Sequence, residues 1–196
     1  MGGNEALLFK TLRIKDLVSV HRLYCSLSPK SEKCYNSKIY GKPKSLIWFP
    51  AQLALIISHS GFRNIFQKIY PKYLYFIAGA FDKPDNLVGF AHFVLHGYSL
   101  DNKLIARVGI AVGDDFQGQG IGTQLLSNLI VLAQINGVDK LFLDVYSNNQ
   151  NAIHLYEKYG FELVSTKENK SHQKEDMAEI YEMELILNPH NVKNKV

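Results

Sequence analysis

"VGIAVGDDFQGQGIGTQLL", residues 108–126, joins a strand-like run to a helix-like run through a segment with glycine at 118, 120 and 122. The run before it, "LIARVGIAV" (104–112), is branched and apolar, the composition of a strand. After it, apolar residues at 121, 125, 126, 129, 130 and 133 make a stripe of 3.6-residue period, and Gly137 stands where a helix C-cap glycine belongs. Glycine in this density costs backbone entropy, so either the turn needs positive φ or something must approach the main chain closely. Phosphate is the usual ligand of such a turn.

Two familiar phosphate loops fail on spacing. Counted from Gly118, the sixth position of a dinucleotide-binding fingerprint is Thr123 rather than glycine. Gly113 and Gly118 have the gap of a Walker loop, but Gln119 follows where lysine is required. What remains is strand, glycine turn and helix N-terminus, whose first amides lack intrahelical partners and carry the positive end of the helix dipole. The turn holds no lysine or arginine, so the N–H groups of Gln117 to Gly122 are expected to hold the anion. A plain strand-to-helix turn would account for one or two of these glycines, not three.

Outward from this segment the chain reads as mixed α and β. "KYLYFIAGAF" (72–81) and "NLVGFAHFVLH" (86–96) flank the turn-forming "DKPDN", so a hairpin is expected, with "KLIARVGIAV" (103–112) as a third strand. "KLFLDVYS" (140–147) is a strand, "NQNAIHLYEKY" (149–159) a short helix ended by Gly160, and "FELVST" (161–166) and "EIYEMELIL" (179–187) are strands around the mixed-charge loop "STKENKSHQKEDMAE". The opening "ALLFKTLRIKDLVSVHRLYCSLS" (6–28) reads as a strand and then a helix, with Ile14, Leu17, Val18, His21, Leu23 and Tyr24 near one stripe. Residues 29–71 read as a polar stretch followed by helices around 49–59 and 62–69. The order implies an α/β (α+β) fold whose sheet is largely antiparallel in its first half.

Composition bounds the rest. With 196 residues and 46% hydrophobic content, one core can bury roughly 70% of the unfolded surface, and no repeat or low-complexity linker divides the chain. A single domain over 1–196 is expected, with a core at about 6–187, a variable segment at 29–71 and a tail at 188–196. The net charge of +4 comes from interspersed residues rather than blocks, which argues against a nucleic-acid partner. Cys25 and Cys34, nine residues apart, match neither a disulfide scaffold nor a zinc pattern, and read as buried or idle thiols in a reducing compartment. "MGGNEALLFK" lacks the basic and apolar regions of a secretory signal, and Ala6 breaks the myristoylation pattern. "LIWFPAQLALII" and "YLYFIAGAF" fall short of the about 18 apolar residues a membrane span requires. A cytoplasmic location, without membrane association, is the resulting expectation.

The glycine segment resembles the acyl-CoA-binding motif of the GNAT superfamily of N-acetyltransferases. That motif is Gln or Arg, two residues, Gly, one residue, then Gly or Ala; here Gln117, Gly120 and Gly122 match it. "LDVYSNNQNAIHLYEKYGFEL" (143–163) resembles the family's second motif, with Asn149, Ala152, Tyr156, Gly160 and Phe161 in the matching places. The resemblance implies a mixed, mostly antiparallel central sheet flanked by helices, with two central strands splayed apart around acetyl-CoA as cosubstrate and no metal. It implies cofactor-binding roles for Ile110, Ala111 and Val112 on the strand, for Gln117, Gly118, Gln119, Gly120, Ile121, Gly122 and Thr123 at the turn and helix start, and for Asn149. The chain departs from the family pattern in two places. Gly113 and Asp114 stand where many members have a larger residue and proline, which implies a looser turn, and Gln117 and Gln119 replace frequent basic residues, which deprives the phosphates of a direct cation.

Acetyl transfer from a thioester to an amine needs a deprotonated amine, a stabilised oxyanion and an acid for the leaving thiolate. A thiol is a fair leaving group, so a neutral phenol suffices, and Tyr156 is the candidate; its alternative is one more packed aromatic, the reading given to Tyr146 and Tyr159. "ARVGIAV" has no carboxylate, although many relatives keep a glutamate on that strand. Asp144 is therefore the candidate base, directly or through water, at a place where some relatives carry a strand glutamate. Its neighbours Leu141, Leu143 and Val145 imply partial burial, which would make it a better base near neutrality; its alternative is to hold a loop amide. His92 and His96 share a strand face without a third metal ligand, one of them a candidate lining for the amine pocket, and His154 reads as solvated. Acetyl-CoA-dependent transfer to a primary amine, on a small molecule or a peptide, by a monomer or homodimer is the leading expectation. A non-catalytic acyl-CoA-binding domain is the alternative, and a nucleotide-binding protein of another fold is disfavoured by the two failed loops.

Overall fold

The computed structural model describes residues 7–12, 16–34, 75–168 and 178–187. Among the described residues there are seven strands: β1 (Leu8–Thr11), β2 (Tyr75–Lys83), β3 (Asn86–Tyr98), β4 (Leu104–Val112), β5 (Lys140–Tyr146), β6 (Glu162–Lys167) and β7 (Ile180–Ile186). They form one sheet in the order β1-β2-β3-β4-β5-β7-β6, antiparallel throughout except between β4 and β5. The helices are α1 (Leu17–Ser26), α2 (Pro29–Cys34), α3 (Ile121–Ile135) and α4 (Gln150–Lys158). The parallel β4–β5 pair needs a crossover, and α3 is that crossover. The expected hairpin closes through Pro84 and Asp85, with Lys83 opposite Asn86.

The apolar stripe of α3 buries Ile121, Leu125, Leu126, Leu129 and Ala133 against one face of β2, β3 and β4. α1 covers the other face with Val20, Leu23, Tyr24 and Leu27, which meet Phe81, Leu87 and Phe90. The α1 stripe differs from the one read in the sequence. Val18 is 60% exposed and Val20 fully buried, because the sheet is met at spacing 20, 23, 24, 27, half a turn away from Val18. Cys25 is exposed, its Sγ 3.6 Å from His21 Nε2, rather than buried. The helices read at 49–59 and 62–69 and the centre of the 165–179 loop lie outside the described residues. Among the described residues no helix is long and apolar enough to cross a membrane.

The helices that follow β4 and β5 end in the same way. Gly137 (φ 71°) follows α3, and Val138 N–H returns to Ala133 O at 3.0 Å. Gly160 (φ 86°) follows α4, and Phe161 N–H returns to Tyr156 O at 3.1 Å. In each, a left-handed glycine closes the orphan carbonyls of the last turn and aims the chain into the next strand.

Candidate active site

β4 and β5 are joined over only three register pairs, Ile105 with Lys140, Ala106 with Leu141, and Arg107 with Phe142. β4 then continues to Val112 and β5 to Tyr146 with no pairing between them, so the sheet opens as a fork. On its far side β4 remains bonded to β3. Gly113 N–H donates to Val88 O at 2.9 Å, with Val112 opposite Gly89. Backbone polarity alternates along an antiparallel ladder, so Gly109 and Ala111 bond to β3 while Ile110 and Val112 turn their backbone groups into the fork. Ala111 lines the cleft, but its main chain is committed to β3 and its side chain to the α1-side core.

A cleft of about 720 Å³ runs along the fork and over the start of α3. Gly118 (φ 74°) and Gly120 (φ 79°) have left-handed backbones, with nothing within 4 Å of where a Cβ would stand. Gly120 takes the N-cap position of α3 without a side-chain cap. Gln124 N–H closes the first helical bond onto Gly120 O at 3.1 Å, so the amides of Ile121, Gly122 and Thr123 precede any intrahelical acceptor. Gln117 N–H donates to Asp114 O at 3.3 Å. The amide run therefore begins at Gly118, one residue later than the sequence implied. Gly122 is different: it is helical, and a Cβ there would make only ordinary contact, 3.5 Å from Leu155 Cδ2 and 3.9 Å from Val112 Cγ2. Neither φ nor packing requires glycine at 122.

The turn between β4 and α3 is braced, contrary to the looser turn implied by Gly113 and Asp114. The Asp114 carboxylate accepts Ser28 N–H at 2.7 Å, Ser28 Oγ at 3.1 Å and Ser31 Oγ at 2.5 Å. The Ser31 hydroxyl, and after it the Ser28 amide, hold the Asp114 carboxyl below its ordinary value. Gln117 Nε2 adds contacts to Ser31 Oγ at 3.2 Å and to Val112 O at 3.2 Å. Together these bonds moor α2 to the glycine turn. Serine followed by proline is a helix-start signal, and Ser28 Oγ does accept Ser31 N–H at 3.3 Å, but six residues are too few to register as a periodic pattern.

Of the residues singled out in the sequence, the cleft brings together Ile110, Ala111, Val112, Gln117, Gly118, Gly120, Ile121, Gly122, Thr123, Asp144, Asn149 and Tyr156. Gln119 is not among them; its Nε2 donates to Asp115 O at 3.0 Å. Asn149 caps α4, its side chain accepting Ala152 N–H at 3.4 Å. Tyr156 is buried, its ring 5.6 Å from that of Phe161. Tyr159 does more than pack: its hydroxyl donates to Thr123 O at 3.0 Å and ties α4 to the first turn of α3.

Asp144 lies two residues past the last β4–β5 pair, at the apex of the fork, with its side chain 15% exposed. One oxygen accepts a hydrogen bond from Arg107 Nη2 and the other faces Lys167 Nζ at 3.9 Å. Glu182 stands opposite on β7 and is itself paired with Lys167, so alternating charges offset two carboxylates that share a register position. The partial burial expected of Asp144 is present, but Arg107 beside it was not anticipated. Asp114 is a second carboxylate lining the cleft, where the sequence offered only Asp144.

Neither strand histidine lines this cleft. His92 is buried beside Phe90 and directly opposite Gly109, where an added Cβ would stand 2.4 Å from the ring. Burial, and secondly Arg107, push its pKa down to about 3. His96 is exposed, edge-on to Phe142 at 5.4 Å. Among the described residues no group of three His, Cys, Asp or Glu side chains could hold a metal ion.

The acetyltransferase (GNAT) family model matches residues 42–161, and the chain belongs to this family. It is 32% identical over 108 residues, 55% of the chain, to the uncharacterized N-acetyltransferase YobR of Bacillus subtilis. It is 43% identical over 60 residues, 31% of the chain, to the [ribosomal protein bS18]-alanine N-acetyltransferase of Salmonella typhimurium. The chain spans 40% of the length of each of these two relatives. The structure of a GNAT superfamily phosphinothricin acetyltransferase from Sinorhizobium meliloti in complex with AcCoA shares the fold, with a TM-score of 0.68 at 18% identity over 97% of this chain and 93% of that one.

Proposed function

From membership of this family and from the shape of the fork, we propose that the cleft takes acetyl-CoA and that the chain transfers its acetyl group to a primary amine by direct attack. One observation carries the reading. The backbone of Ile110 and Val112, left without a β5 partner, the amides that open α3, and the spare glycine at 122 all face one cleft. A thioester with a phosphate-bearing tail fits that arrangement, the amides from Gly118 to Thr123 receiving the pyrophosphate and the fork receiving the extended arm. The missing side chain at Gly122 supports close approach of that arm to the helix start.

In this reading the amine nitrogen forms a bond to the acetyl carbon, the carbon–sulfur bond breaks, and the thiolate takes the Tyr156 hydroxyl proton. The proton lost by the amine goes to Asp144, directly or through a water. Arg107 and Lys167 position that carboxylate at the apex, and each oxygen keeps a further lone pair for a water or an ammonium group. Asn149 acts by capping α4 and so fixes the helix that carries Tyr156. The engagement of both Asp144 oxygens favours a second reading, an acyl-CoA-binding domain without catalysis. Release of free CoA from acetyl-CoA, measured against a panel of amines from peptide N-termini to polyamines, separates the two. Turnover with any amine supports the enzyme; binding of acetyl-CoA with no thiol release across the panel supports the binding domain.

A further inference from the structure

We propose that Lys30, carried on α2, supplies the positive charge for the pyrophosphate that the glycine turn itself lacks. The proposal rests on the acyl-CoA reading of the cleft. The turn has glutamine at 117 and 119 and no basic residue, and two of the residues lining the cleft, Asp114 and Asp144, are carboxylates. Within the turn, main-chain amides alone would have to hold a doubly charged group against that background. Among the described residues that line the cleft, Lys30 is the one cation.

Its position follows from the brace. Ser31, the next residue, donates to Asp114 and accepts from Gln117 immediately ahead of Gly118. Lys30 is thereby moored at the end of the cleft where the amide run begins. A lysine is a point charge on a flexible stem and can meet a phosphate oxygen without the fork geometry an arginine would impose. The missing basic residue of the loop and the unusual aspartate at 114 then have one explanation. Asp114 is the anchor that brings a cation in from a different element.

The test compares CoA, 3′-dephospho-CoA and pantetheine as ligands of the wild type, Lys30→Gln and Lys30→Arg, by calorimetry at two salt concentrations. Lys30→Gln should weaken CoA and dephospho-CoA alike by roughly three- to tenfold, the scale of one partly screened charge contact. It should flatten the salt dependence and leave pantetheine binding unchanged, while Lys30→Arg restores most of the loss. Unchanged CoA affinity in Lys30→Gln overturns the proposal, as does equal weakening of pantetheine or an effect confined to the 3′-phosphate. The reading of the cleft is checked separately, since wild-type CoA binding that disappears in Gly120→Val upholds that reading whatever Lys30 does. Failure of the wild type to bind CoA overturns both.

Discussion

The N–H of Phe161 donates to the Tyr156 carbonyl at 3.1 Å while the two rings meet at 5.6 Å with a 58° tilt. Tyr156 is thus fixed twice by one residue, through the glycine-closed helix end and through ring packing, and it lines the cleft from a rigid support. Replacing it with phenylalanine keeps the ring and the helix end and removes only the hydroxyl, the proton donor of the proposed reaction. Tyr156→Phe should leave acetyl-CoA affinity nearly intact and lower kcat by roughly 10²- to 10⁴-fold. Steady-state kinetics with a competent amine measures this, and a loss below about threefold returns Tyr156 to a packing role.

The glycines of the turn should separate into two kinds. At Gly120 the φ of 79° penalises any side chain, by about 1–2 kcal/mol and more for a branched one, so Gly120→Val should lose CoA binding and some thermal stability together. At Gly122 an added methyl makes only ordinary contacts and alanine is the better helix former. Gly122→Ala should melt at or above the wild-type temperature and yet bind CoA more weakly. Undiminished CoA affinity in Gly122→Ala would show that nothing approaches the helix start there.

Asp144→Asn keeps the shape and the bond from Arg107 but cannot accept a proton. Turnover at neutral pH should fall and partly recover as rising pH deprotonates the amine without assistance, which a pH–rate profile reads directly. A mutant with the wild-type profile and a lower melting temperature would make Asp144 a structural partner of Arg107 and Lys167.

His92 offers a stability test away from the cleft. Its folded pKa of about 3 lies below the ordinary 6.5, so between those values the unfolded chain binds a proton that the folded chain refuses. Stability is therefore complete above pH 6.5 and is lost progressively as pH falls toward 3. Urea midpoints measured from pH 7.5 to 4.5 should fall less steeply in His92→Gln than in the wild type. Parallel slopes would remove His92 as a source of the pH dependence.

The parts of the fold that were legible in the sequence are the local ones. The period of α3, the C-cap glycines at 137 and 160 and the turn at Pro84–Asp85 each lie within a few residues of what they determine. The glycine-lined end of the candidate cleft was legible to the same extent, because strand, glycine turn and helix start are contiguous. What escaped depends on distant partners. Ser28 and Ser31 reach Asp114 across 86 and 83 positions and Arg107 reaches Asp144 across 37. The same holds for α1, whose buried face is chosen by the sheet it lands on; Val18 and Val20 are equally apolar, and only the docking angle decides between them.

The three-residue seam between β4 and β5 divides the sheet mechanically. On one side β1 to β4 form a continuous antiparallel ladder, and on the other β5, β7 and β6 form a second. Beyond Arg107 and Phe142 no strand pairing joins them, so α3, its packing, the Tyr159–Thr123 bond and the Arg107–Asp144 bridge span the gap. A long ligand lying in the fork would act as a missing rung, bonding Ile110 and the Val112 N–H on one lip while filling the space beside Val145 on the other. The two ladders share one apolar core, so such occupancy would add polar bonds across a junction otherwise held by packing, and the resistance of the fork to local opening would then depend on whether it is filled.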